Sequence, residues 1–397
     1  MKKILMLGGA MSQIPAIKKA KELGYYVITC DYLPNNPGHA FSDEYVNIST
    51  VDKEAVLSFA KDKKIDGIVA YASDPAAATA AYVSEKLGLP GNPYDVVKMF
   101  SEKDLFREFQ KNNGFPYPQF YRLSNIEELK EVWDEIEFPC VVKPVDSSGS
   151  KGVVKIDRKE DLEKAVEEAL HFSRGGRVII EQFIETPYNH LHADGVVTDG
   201  KLDFVVLGDQ RFRNMVPIGT AIPSMVDEEV VRKATKEVAR FIENSGLKNG
   251  AVNIEVRVAA DGTVYIIEIG PRAGGNYIPQ LMYHATGQDE VAAVLKQAMG
   301  EEYPILTPEE LTCTLQYNIG SLKNGKFKEV FVDEYLRDKL VELYIYKKKG
   351  DPVVDYQNSN GVVGVAIMKF DSLEERERTI PEMHNYIKVI TEEEVLG

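Results

Sequence analysis

Short apolar runs, KILMLGG at 3–9, YVITCD at 26–31 and DGIVAYA at 66–72, punctuate the first ninety residues. Between them, in QIPAIKKAKELGY and KEAVLSFAKDKKI, apolar residues recur every three or four positions. Brief buried strands alternating with amphipathic helices predict a parallel α/β sheet with crossover helices over residues 1–95, a Rossmann-like unit. Near residue 95 the pattern changes. VVKMFSEKDLFREFQKNNG reads as one helix closed by Gly114, and the two prolines of FPYPQF make an extended link. Strand-like runs then dominate: FPCVVKPV, GVVKI, RVIIEQFI, DGVVTDGKLDFVVLGD, GAVNIEVRV and TVYIIEIG, with helices DLEKAVEEALHFS and EEVVRKATKEVARFIENSG between them. An α+β region over 96–305 follows, and 306–397 is expected to be a small appended α+β piece.

Composition narrows the class. The 397 residues, 44% hydrophobic and 27% charged, suit a globular protein of two to four domains. A net charge of −15 argues against a nucleic-acid partner, though not against a local basic pocket. No apolar run reaches membrane-spanning length, and glycines interrupt the start too early for a signal peptide. Cys30, Cys140 and Cys313 are scattered and odd in number, which favours neither disulfides nor a zinc site. The expectation is a cytoplasmic enzyme acting on small molecules, with a homodimer left open.

Several stretches suggest chemistry. LGGAMSQ after the first strand, with Asp31 ending the second, has the layout of a dinucleotide turn. The glycine spacing from Gly8 fails, since Ala10 and Gln13 stand where glycines belong, so NAD is disfavoured. Lys103 is expected in the first turn of a helix capped by Ser101 with Asp104, where a bare solvated lysine is the ordinary alternative. Lys143 ends an apolar strand before a small-residue loop, with Ser147, Ser148, Gly149, Ser150 and Gly152. Backbone amides there can approach a polyphosphate, or the loop is a plain hairpin. Glu181 and Gln182 end another strand, where an acid could accept from an exocyclic amine.

NIEVRV and YIIEIG flank a tight AADG turn, and counting back from it sets Glu255 beside Glu268. Facing carboxylates repel unless a cation joins them, and oxygen ligands of this kind suit Mg²⁺. Arg272, followed by two glycines, is a fork donor for phosphate or carboxylate. Arg211 and Arg213 in QRFRNMVPIGTAIPS are either substrate ligands or solvated strand residues.

The order of these motifs, over nearly the whole chain, resembles the ATP-grasp superfamily, closest in GPRAGGNYIP to its amino-acid ligase and carbamoyl-phosphate-synthase-like branches. The resemblance implies a Rossmann-like pre-ATP-grasp domain followed by an ATP-grasp fold. It implies ATP phosphates held by Lys103 and Lys143 (the latter also near adenine), loop 147–152 as their cover, and Glu181, Gln182, Phe183 and Ile184 as the adenine hinge. Glu255 and Glu268 would bind Mg²⁺, with Mn²⁺ as a substitute, while Arg272 and Arg213 would serve catalysis. The implied reaction activates a small carboxylate as an acyl phosphate for attack by an amine. A purine-pathway or carboxylase-type reaction, an NAD-dependent oxidoreductase and a non-catalytic ATP-binding protein are the rivals. Two positions depart from the family. Gly270 stands where the family commonly carries a ligating Asn, and the ribose acid is absent, leaving Asn189 or His190 in its place. Asn at 270 is expected to restore the ligand if the backbone there accepts a side chain.

Overall fold

A computed structural model describes residues 1–147, 149, 151–213, 216–357 and 359–392. The N-terminal sheet has four parallel strands, in the order Glu44–Val46, Tyr26–Cys30, Lys3–Leu7, Gly67–Val69. Helices Ile14–Glu22, Lys53–Lys63 and Asp74–Leu87 cover it. Leu5, Leu7, Ile28 and Val56 are fully buried against one another, as near-continuous apolar strands require when both faces are covered. The dinucleotide-like turn is filled from within. The Asp31 carboxylate accepts from the amides of Gly9 (3.1 Å) and Leu33 (2.9 Å) and from the Asn36 side chain (2.8 Å). A Cβ at Gly9 would stand 2.2 Å from the His39 ring. The acid that ends the second strand thus secures its own loop.

The segment expected as one helix is two, Tyr94–Ser101 and Lys103–Asn112, broken at the extended Glu102. Ser101 is not the cap of the second helix, because its hydroxyl donates back to the Val97 carbonyl at 2.8 Å. Phe100 and Phe106, on either side of the break, both pack on Phe241. Glu102 and Asp104 both meet Arg177 at 2.5 Å. The break leaves the Lys103 amide to donate to the Val145 carbonyl, so the lysine starts its helix beside the glycine/serine loop.

A small antiparallel sheet follows, in the order Phe120–Leu123, Val178–Gln182, Cys140–Pro144, Val154–Ile156, covered by helix Leu162–Phe172. Phe120–Leu123 continues the expected Pro-rich link as an edge strand, where prolines before it cost no ladder bond.

The remaining large sheet runs Val264–Gly270, Gly250–Val258, His190–Thr198, Gly208–Arg213, Val216–Ile222, Thr314–Gly320, Val362–Lys369, Leu340–Ile345, with Lys201–Val205 also on His190–Thr198. The break expected at 305/306 therefore falls inside one sheet: Thr314–Gly320 pairs directly with Val216–Ile222. Helices Glu228–Ser245 and Ile278–Thr286 bury Phe241, Ile242, Leu281 and Met282 in the same core as Ile254 and Ile269. Near the end of the chain, helix Leu373–Thr379 gives way to short turns and then strand Ile387–Glu392. Among the described residues no helix is long and apolar enough to cross a membrane.

Candidate active site

A cleft of about 1080 Å³ opens where the two four-stranded sheets meet the face of the large one. The acid hairpin forms one end of its floor. The Asp261–Gly262 turn, with Gly262 at φ +79° and the Asp261 carboxylate taking the Thr263 amide at 2.8 Å, fixes the register. A register shift between Glu255 and Val256 then sets Glu255 directly across from Glu268. Burial and the charge of Glu268 raise the Glu255 carboxyl above its ordinary value, as expected of a pair with no cation between them. Lys103 stands 3.8 Å from Glu268 and donates to the Ser147 carbonyl at 2.8 Å.

Lys143 and Glu181 face each other from adjacent strands, Nζ to Oε2 at 2.6 Å. Behind Glu181 stands Arg107, 1% exposed, its Nε 2.8 Å from Oε1. Nη2 of Arg107 also donates to the Ile267 carbonyl at 2.7 Å, next to Glu268. One buried guanidinium therefore ties strand Val178–Gln182 to the acid hairpin. Burial alone would raise the Glu181 carboxyl, but the Arg107 and Lys143 charges outweigh it and hold it at about 2, against 4.5 for a free glutamate. The Lys143 ammonium is shifted down, by burial and the neighbouring Arg107. A depressed carboxyl stabilises the fold fully above its unfolded value and loses that contribution below it. The urea midpoint of the protein is therefore expected to fall as pH drops from 4.5 toward 2, more steeply than that of Glu181→Gln, and parallel slopes would contradict the assignment.

Glu181 thus serves an internal ion pair and is not free to accept from an amine. After it, the amides of Gln182 and Phe183 donate to the carbonyls of Gln119 (2.8 Å) and Pro139 (3.1 Å). The Phe183 ring lies between Lys155 Nζ (4.7 Å from its centroid) and the Arg257 guanidinium (4.6 Å), and Arg257 donates to the Ile184 carbonyl at 2.8 Å. In the loop above Lys143, Gly149 and Gly152 adopt left-handed φ of +68° and +72°. A side chain at 152 would also meet Phe172 and Pro144 at 2.9 Å. The Ser147 hydroxyl donates to the Lys151 carbonyl, while Ser148 and Ser150 lie outside the described residues.

Arg272 meets a partner that sequence reasoning missed. Its Nη2 lies 2.6 Å from Asp74, in the first turn of helix Asp74–Leu87 of the N-terminal unit. Burial works against the Asp74 charge, and the Arg272 guanidinium overcomes it, holding the carboxyl below its ordinary value. Gly270 lies beside this pair. Its φ is not left-handed, so the backbone accepts a side chain, but a Cβ there would stand 3.1 Å from both Arg272 Cζ and Asp74 Oδ1. Gly270→Asn is therefore expected to push the pair apart and lower turnover without tightening Mg²⁺. A lower Mg²⁺ requirement for ADP formation in that variant would overturn this.

Three further residues order the floor. His192 bonds Thr220 Oγ1 (2.8 Å) and Asn253 Nδ2 (3.1 Å), and Asn253 donates to Asp194 at 2.7 Å. Asp194, fully buried, accepts the Gly274 amide at 2.6 Å and so holds the Gly-Gly turn behind Arg272. The alternation HLHAD, polar at every second position of one strand, was the available signal for this polar face.

The two arginines of 211–213 stay out of the cleft. Arg211 is held by Asp209 (3.0 Å) and Glu377 (2.7 Å). Arg213, expected to serve catalysis, lines a neighbouring pocket and donates to the Tyr356 carbonyl at 3.3 Å. Two positions apart on one strand, they share the face opposite Gln210 and Phe212, which do line the cleft. Asn189 is bonded to Asp209 at 3.0 Å, whereas His190 does line the cleft.

Residues 136–280 match the ATP-grasp domain family. The whole chain superposes on the L-amino acid ligase from Bacillus licheniformis with a TM-score of 0.84, at 22% identity, covering 99% of each chain. On phosphoribosylglycinamide synthetase from Anaerococcus prevotii the TM-score is 0.78 at 25% identity, covering 98% of this chain and 100% of that one. The carbamoyl phosphate synthase large chain of Thermotoga neapolitana is 26% identical over 261 residues, 64% of this chain and 23% of that protein, so the chain spans about a quarter of that relative. The chain therefore carries an ATP-grasp domain over residues 136–280.

Proposed function

We propose that the chain is an ADP-forming carboxylate–amine ligase. The observation that carries this reading is the convergence on one cleft of Lys103, Lys143, the facing pair Glu255 and Glu268, and Arg272. Glu255 and Glu268 suit a hard divalent cation, because each raises the cost of the other's charge and both present oxygen. Mg²⁺ held there would neutralise charge on the nucleotide phosphates.

Lys103 and Lys143 are point charges for those phosphates, with the backbone of 182–184 beside the adenine and loop 147–152 as cover. Lys143 then exchanges Glu181 for a phosphate oxygen, while Arg107 keeps Glu181 compensated. A carboxylate oxygen of the first substrate attacks the γ-phosphorus of ATP; the bond to the bridging oxygen breaks and ADP leaves. The amine then attacks the acyl carbon, the C–O bond to phosphate breaks, and a C–N bond, inorganic phosphate and a proton result. Arg272, drawn off Asp74, would hold the transferred phosphoryl group, which makes Asp74 its resting partner.

Two features support this chemistry over a passive nucleotide sensor: a guanidinium poised beyond the metal acids, and room beside Gly275 and Asn276 for a second substrate. A panel of small carboxylates crossed with amines, with Mg-ATP, tests it. The expected result is ADP and phosphate release in equal amounts only when acid and amine are both present, with the mass of the condensed product. ADP formation that never depends on an amine would overturn the ligase reading.

A further inference from the structure

Beside the cleft lies a second cavity of about 740 Å³, and Phe183, Ile184, His190, Gln210, Phe212 and Arg257 form the wall they share. Its other side is built by Ile380, Met383 and His384, after helix Leu373–Thr379. This volume is that of a metabolite-sized site.

Its charge is unusual for this molecule. In a chain of net charge −15, Arg107, Arg177, Arg211, Arg240, Arg272 and Arg376 each meet a carboxylate at 2.5 to 2.9 Å. Arg213 and Arg257, both lining this cavity, form no ion pair among the described residues. Arg257 has only the Ile184 carbonyl and the Phe183 ring. Among the described residues Arg213 has only the Tyr356 carbonyl and the Tyr356 ring, over which it lies 6.0 Å from the centroid. Burial lowers the Arg257 guanidinium, and the carboxylates that act on it, Glu255 and Glu181, are committed to the cleft. Among the described residues the single carboxylate lining the cavity is Glu185, which is exposed. Half-buried guanidiniums without a counter-ion, facing one cavity, favour an anion there. Gln210 and Tyr317 add hydrogen-bonding groups, and Ile218, Ile380 and Met383 an apolar side for a carbon skeleton.

We propose that this cavity binds a small organic anion, a carboxylate or phosphate ester, between Arg213 and Arg257, as a ligand separate from the nucleotide. The site is reached without entering the phosphate end of the cleft, since Lys103, Lys143 and Arg272 do not line it. Arg257 would turn one donor to the anion and keep the other on Ile184.

Two probes distinguish the sources of such an anion: glutarate for dicarboxylates and glycerol 2-phosphate for phosphate esters. Each is titrated calorimetrically into the full chain, first alone and then with Mg-ADP at saturation. The expected result is saturable one-to-one binding by at least one probe in both conditions, weakened tenfold or more in Arg213→Gln and in Arg257→Gln. Glutarate binding alone would assign a carboxylate ligand, and glycerol 2-phosphate alone a phosphate ester. No saturable binding by either probe up to about 10 mM would overturn the proposal. So would equal affinity in Arg213→Gln, whose half-exposed side chain makes a folding defect no explanation. Loss of binding when Mg-ADP is present would also overturn it, by making the cavity part of the nucleotide site.

Discussion

Glu268→Gln is expected to fold normally and to lose ATP turnover by about three orders of magnitude, the scale of several kcal/mol of metal-dependent charge stabilisation. Gln conserves the shape of the side chain and its place opposite Glu255 in the hairpin. It removes the charge that pushes the Glu255 carboxyl up, so the metal-free protein should be at least as stable as the parent. The gain and the loss have one cause: the repulsion that a cation would relieve is the repulsion that disappears. The measurement is ADP formation against Mg²⁺ concentration in both proteins. Metal-dependent turnover within tenfold of the parent would remove Glu268 from the metal site.

Arg107→Met should unfold first among the buried substitutions, losing about 3–5 kcal/mol. Arg107 is 1% exposed, and without it the buried Glu181 carboxylate keeps only Lys143, while the Ile267 carbonyl loses its 2.7 Å donor. The cost is that of an uncompensated charge rather than of a lost bond, so the double variant Arg107→Met, Glu181→Gln should recover part of it. Urea midpoints decide. A loss below about 1 kcal/mol for the single variant would mean that water reaches Glu181 and that the buried pair contributes little.

The acid hairpin was legible because an Asp-Gly turn between two strands brings Glu255 and Glu268 close, although it is a register shift between Glu255 and Val256 that sets them face to face. Lys143 was legible for a similar reason, as a charge at the end of an apolar strand before small residues. Asp74 was not. SDPAAA reads only as a helix start, and nothing local says that this start faces Arg272 across two structural units. Arg107 was hidden by amphipathicity: a charged residue in a helix as polar as KDLFREFQKN belongs by default to the solvent face, yet here it points into the molecule beside Gln110, which donates to the Ile266 carbonyl. Arg213 was misplaced because alternation puts it on one face with Arg211, and opposite Gln210 and Phe212, without saying which face meets the cleft. The continuation of the large sheet beyond 305 escaped because the pairing of Val216–Ile222 with Thr314–Gly320 is long-range, and neither strand's own pattern names its partner.

That same pairing has a consequence for biosynthesis. A growing chain emerges from its N-terminus, and the large sheet forms in an order set by its strand sequence. When the strands carrying Glu255 and Glu268 have left the ribosome, Val216–Ile222, with Ala221 and Ile222 fully buried in the finished protein, still has one bare edge. It waits for Thr314–Gly320, and that strand waits in turn for Val362–Lys369. Until then the nascent protein exposes an apolar edge that can template pairing with another chain. A stalled or truncated product ending near residue 305 is thus a natural client for chaperones and an aggregation nucleus, although it already contains every residue placed here around the phosphates and the metal.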